Sequence, residues 1–182
     1  DHGEGFGEPC EIGSPIRLID HNYGINEELV HVPLLVHTPD RGHGQTIDKP
    51  VSLAQFPAVV RAQIEGRYRT FESEEPVISS TYRIQEPGDE LPLELDERQP
   101  YFGPWHAIYT TQDGRVRKNA INDEYDAQVE IMNAQERSVV GSANRTSVED
   151  QISTFQSANI VSGQRKVSSS TEERLNDLGY IQ

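Results

Sequence analysis

The 182-residue chain is short of cysteine, lysine and apolar residues, and each shortage narrows what it can be. A single cysteine, Cys10, excludes an intramolecular disulfide. Lysine occurs only at Lys49, Lys118 and Lys166, so arginine supplies most of the positive charge against 30 Asp and Glu, and the net charge is −14. A chain this acidic has no basic patch to neutralise phosphates, which argues against nucleic acid as a partner. No stretch approaches the roughly 20 apolar residues of a membrane-crossing helix, so no membrane span is expected. An apolar content of 34% implies a core that is small for the length. Many carboxylates with little lysine suit a surface adapted to strong salt, and equally an ordinary acidic soluble protein.

What is present is concentrated at the start. The stretch Asp1-His2-Gly3-Glu4-Gly5-Phe6-Gly7-Glu8 sets a hard carboxylate oxygen beside an imidazole nitrogen, a donor pair suited to Mg, Ca, Mn or Zn. The interleaved glycines let the backbone turn sharply and approach a charged group closely. Glu4 and Glu8 stand where they can orient such ligands from behind. Alone, Asp-His-Gly-Glu is as compatible with a polar surface loop.

The ordered series that follows adds weight. After the loop come His21, then Asn26-Glu27-Glu28-Leu29, then Val30-His31-Val32-Pro33-Leu34-Leu35-Val36, then Pro39, and later Val51-Ser52-Leu53 leading to Pro57. This order resembles the C-terminal half of the sulfatase family in the alkaline phosphatase superfamily. Those enzymes carry an Asp-His-Gly-Glu or Asp-Asn-Gly loop, then a Lys or His. A Glu-Glu-x-x-x-Val-Pro-Leu-x-Val strand and a Val-Ser-Leu-x-x-x-x-Pro helix follow. Glu173 to Tyr180 looks like the family's last helix. The resemblance covers residues 1 to about 66, thins to about 170, and returns at the end.

The resemblance implies a divalent metal (Ca, Mg, Mn or Zn) held by Asp1 and His2. It gives His21 a catalytic and substrate-contacting role toward the sulfate or phosphate group of a small ester. It also implies an α/β fold: the C-terminal part of an alkaline-phosphatase-like sheet with flanking helices over residues 1–98, and a small antiparallel sheet and helix subdomain over 99–182. The family's nucleophile lies in Cys-x-Pro-x-Arg, whereas Cys10 is followed by Glu11-Ile12-Gly13-Ser14 and departs from that pattern. No nucleophile is therefore assigned in this chain. The expectation is the C-terminal portion of a longer enzyme, or a truncated gene product, that does not turn over substrate alone. The readings kept beside the sulfatase are a phosphoesterase or phosphotransferase of the same superfamily, and a non-catalytic acidic binding module.

Residues 9 to 20, with Gly13 and Pro15, read as a loop, and Arg17 as a solvated side chain within it. Asn26 to Leu29 suggests a helical turn. Val30 to Val36 is a nearly continuous apolar run and reads as a strand covered on both faces, with Pro33 implying an edge or bulge. His37 at the end of that run is a substrate-binding candidate, since open α/β sheets place ligands at strand C-termini. His31 and His43 read as a structural side chain and a solvated loop tip. Ser52 is the expected cap of a helix with Leu53, Phe56, Val59, Val60 and Ile64 on one side, kinked by Pro57 and stopped by Gly66.

Farther on, Val77 to Ile84 reads as a strand, and Glu86 to Gln99 as an exposed acidic linker. Trp105 to Thr110 and Val116 to Ile121 read as two strands joined by an Asp113-Gly114 hairpin turn, with Trp105, Tyr109 and Tyr125 as core aromatics and His106 on the sheet face. Capping boxes at Thr146-Ser147-Val148-Glu149 and Ser170-Thr171-Glu172-Glu173 predict two helices, the first burying Val148, Ile152 and Phe155.

Overall fold

A computed structural model describes residues 2–10, 12, 17–21, 24–37, 44–72, 74–81, 103–133 and 136–159. The chain forms two compact units, Asp1–Ile152 and Ser153–Gln182. The fold is mixed α/β, and its centre is a five-stranded antiparallel sheet in sequence order: β3 (Val77–Ser80), β4 (His106–Gln112), β5 (Arg115–Ile121), β6 (Asp126–Ile131) and β7 (Arg137–Gly141). Strands from both sides of position 98 therefore share one sheet.

Local sequence explains these strands. Asp113 and Gly114 both take positive φ, 52° and 75°, which is the two-residue turn that matches the twist of a hairpin. Alternation then sorts the two faces. One face presents Ala107, Tyr109, Ala120, Ala127, Val129 and Ile131, which pack with Trp105 and Ile25. The other presents Ile108 and Ile121 to Val148 and Ile152. The sheet is thus covered on both sides, which an antiparallel sheet of this size needs in order to bury its apolar side chains.

The cover on the second face is α3 (Arg145–Asn159). Its start differs from the expected capping box by two residues. The cap is Asn144, whose Oδ1 accepts from the Ser147 N–H at 3.1 Å. Val148 and Ile152 are buried as expected, whereas Phe155 is exposed.

Before the sheet, β1 (Gly5–Pro9) and β2 (Arg17–Asp20) form an antiparallel pair where the sequence suggested only loop. Periodicity missed it because Phe6 and Ile19, which sit opposite each other, are 77% and 73% accessible, so these two apolar side chains mark no buried face. Arg17 is part of this pair and donates through Nη1 to the Gly7 carbonyl at 2.7 Å.

The helical turn is α1 (Glu27–Val30), but the strand expected over Val30 to Val36 is not formed. A strand requires a neighbour to receive its N–H and C=O groups, and among the described residues no strand lies beside 31–37. Leu35 is left 92% exposed. The alkaline-phosphatase-like parallel sheet is accordingly not part of the described architecture.

The next helix begins as a 3₁₀ turn, Leu53–Gln55, and continues as α2 (Phe56–Ile64). Ser52 caps the turn by accepting from the Ala54 N–H at 3.2 Å. Pro57 sits in the first turn of α2, where its missing N–H has no intrahelical acceptor to lose, and the helix continues from it to Ile64. Gly66, with φ 68°, ends the segment. No helix among the described residues is long and apolar enough to cross a membrane. The linker over 86–99, the second capping box and the last helix lie outside the described residues.

Candidate functional site

The N-terminal loop and the β1–β2 pair bring three of the sequence-singled residues together. Gly5 pairs with Asp20 in the ladder, so residues just before β1 and just after β2 are neighbours. His2 and His21 accordingly meet, with ring centroids 4.6 Å apart and planes tilted by 30°. Glu4 joins them: its Oε2 lies 2.9 Å from Nδ1 of His21. Both side chains of that pair are about two-fifths exposed, so its contribution to stability is small, roughly 0–1 kcal/mol. Nδ1 of His2 lies 2.9 Å from the Gly3 carbonyl.

This geometry fits a divalent cation in one respect. Histidines that ligate metals commonly use one ring nitrogen to donate to a carbonyl or carboxylate, which fixes the ring and raises the basicity of the other nitrogen. His2 and His21 each engage Nδ1 with a carbonyl or carboxylate oxygen in that way. The donor set of imidazole nitrogen and carboxylate oxygen is one that Mn and Zn accept. Among the described residues, no group of three or more His, Cys, Asp or Glu is arranged to hold a metal ion. Asp1, the carboxylate expected to complete the set, lies outside those residues.

Glu8 is not beside His21. It folds back on its own strand, accepting from the Phe6 N–H at 2.7 Å, and this backbone bond, followed by that of its own N–H, holds its carboxyl below the usual range. His37 is exposed at the end of the 31–37 segment, and among the described residues no hydrogen bond or ion pair joins it to His2, Glu4 or His21. His31 is half-exposed, with Nδ1 3.7 Å from Oε2 of Glu27. His106 faces Ser80, whose Oγ is 2.9 Å from its Nδ1; burial pushes its pKa down, and the charge of Asp123 opposes that shift.

The loop is tied to α1. The Gly3 N–H donates to the Leu29 carbonyl at 2.8 Å. The approach is so close that a Cβ at position 3 would lie 1.8 Å from the Glu28 carbonyl oxygen, so only glycine fits.

A polar group that periodicity did not single out lies beneath α1. Lys118 and Glu27 are both buried, and Nζ of Lys118 is 3.1 Å from Oε1 of Glu27. Lys118 also donates to the Ile25 carbonyl, and the Tyr109 hydroxyl donates to the same Glu27 oxygen at 2.8 Å. The Lys118 ammonium stands 5.8 Å from the Tyr109 ring centroid. Removing one partner of such a buried pair costs about 3–5 kcal/mol, because the other charge is left without compensation. Beside it, Arg137 of β7 pairs with Glu28 in a mostly buried contact. The signal for Lys118 was its inward position in β5, two residues from Val116 and two from Ala120.

No family model matches the chain, and neither a curated protein nor a solved structure matches it.

Proposed function

We propose that this chain is the C-terminal portion of a metal-dependent hydrolase of sulfuric or phosphoric esters, similar to the sulfatases of the alkaline phosphatase superfamily, and inactive without the part that carries the nucleophile. The observation that supports the reading most is the convergence of His2, Glu4 and His21 at one end of the β1–β2 pair, in a loop tied to Leu29 just before the Val30–Val36 run. Asp1 and His2 would hold the cation. When bound, that cation supplies Lewis acidity toward the ester oxygen and orientation for an attacking group. His21 would face the negative oxygens of the ester, with Glu4, 2.9 Å from its Nδ1, orienting the ring.

The exposed apolar side chains agree with a larger parent. Phe6, Ile19, Leu35, Val36, Phe56 and Ile64 are all open to solvent. In the parent, Val30 to Val36 would enter a parallel sheet and cover part of this surface. The same site serves a sulfatase, a phosphoesterase or a phosphotransferase, and the segment that discriminates them is the nucleophile. The departure of Cys10-Glu11-Ile12-Gly13-Ser14 from the family's nucleophile pattern is what favours the second reading, a non-catalytic acidic binding module.

Calorimetric titration with Mn²⁺ and Zn²⁺ separates the two. The hydrolase reading predicts one saturable site, weak because two protein ligands are few, and lost in Asp1→Ala and His2→Ala. Binding that is unchanged in both variants, or no binding at all, favours the acidic module.

A further inference from the structure

Lys118 stands at the centre of a row that crosses all five strands: Val77, Tyr109, Lys118, Val129 and Val139 are successive partners. An ammonium in that row, on the face that carries the larger core, is out of keeping with its apolar neighbours, and packing alone would be served by a hydrocarbon of similar volume. What the charge provides is direction. Lys118 and Tyr109 converge on one oxygen of Glu27, and Lys118 reaches the Ile25 carbonyl as well. Residues 25 and 27 are thereby fixed over β4 and β5, while Arg137 holds Glu28 from β7. A four-residue helix has no stability of its own, so the place of α1 is set by these contacts and by burial of Ile25 and Leu29. The next link is the Gly3–Leu29 hydrogen bond, and the one after it is the loop that carries His2 and Glu4.

We propose that Lys118, Glu27 and Tyr109 act as positioning residues, through which the five-stranded sheet sets the placement of the His2–Glu4–His21 group. The inference rests on the reading of that group as the working site, and it adds a role for the small sheet: a platform that presents the loop.

The test is the cross-relaxation between the His2 and His21 ring protons in the full chain, together with Mn²⁺ affinity. In the triple variant Lys118→Met, Glu27→Leu, Tyr109→Phe, all three polar groups are replaced by apolar ones of comparable size, a change that retains a folded sheet when packing is preserved. The expected result is a His2–His21 cross-peak reduced at least three-fold, with the Ala107–Ala120 cross-strand contacts intact. A folded triple variant with the cross-peak at wild-type intensity overturns the proposal, since it shows that the polar group serves packing only. If the triple variant does not fold, Tyr109→Phe alone decides: a weakened cross-peak supports the proposal and an unchanged one overturns it. The native chain keeps the two readings apart. A native protein that shows the cross-peak but binds no Mn²⁺ refutes the hydrolase reading and leaves the positioning claim to the variants.

Discussion

Replacing Gly3 with alanine is a sharp perturbation because its consequence can be worked from one contact. An ideal Cβ at position 3 lies 1.8 Å from the Glu28 carbonyl oxygen and 2.9 Å from its carbon. Backbone atoms do not tolerate such an approach, so something must retreat by roughly 1 Å. α1 is the wrong candidate, since Ile25, Glu27 and Leu29 are all buried beneath it. The loop has exposed residues on both sides of Gly3 and must move instead. That movement takes the Gly3 N–H out of reach of the Leu29 carbonyl, now at 2.8 Å. The loss is one backbone hydrogen bond, about 1 kcal/mol. For a chain of this size the melting temperature should fall by roughly 2–4 °C. Thermal unfolding followed by circular dichroism measures the fall, and amide exchange at position 3 measures the lost bond. A variant that keeps its melting temperature and its protected amide would refute the reasoning, and so would a fall several times larger, which would mean that α1 or the core had given way.

Three further outcomes follow from the same structure. Burial lowers the His106 pKa from 6.5, so the unfolded chain takes up the proton more readily; its contribution is fully retained above pH 6.5 and lost as the pH drops below it, and His106→Gln should flatten the dependence of urea midpoint on pH between about 7 and 5. Asn144→Ala removes the α3 cap and should cost about 1 kcal/mol in a urea titration with unchanged slope. Ile121→Ala opens a cavity between the sheet and α3 and should cost about 2–5 kcal/mol by the same measurement, with a loss under 1 kcal/mol showing that this face is not packed as described.

The small sheet was legible because its signals are local. The Asp113-Gly114 turn fixed one hairpin, and the alternation of Ala107, Tyr109 and of Val116, Lys118, Ala120 follows from the pleat. β7 was harder to see, since Arg137 to Gly141 is mostly exposed and offers no buried alternation, whereas β6 does alternate, burying Ala127, Val129 and Ile131. The run from Val30 to Val36 misled for a physical reason: composition reports what a segment would bury, whereas a strand also needs a partner edge, and the described residues supply none. Of the candidate site, His2 was singled out by residue chemistry and His21 by the resemblance to the sulfatase order, and their proximity comes from the unforeseen pairing of β1 with β2. Glu27 escaped notice as half of an ordinary Glu-Glu pair, because the partner that gives it meaning is 91 residues away.

The central claim is that a divalent cation is gripped at the start of the chain, beside His21. The most direct measurement is the paramagnetic broadening of the histidine ring signals as Mn²⁺ is added at substoichiometric levels. The six histidines report on separate regions of the sequence. The account predicts that the His2 and His21 signals broaden first and together, ahead of His31, His37, His43 and His106, and that Asp1→Ala abolishes the preference. Equal broadening of all six, or a preference for another histidine, would contradict it.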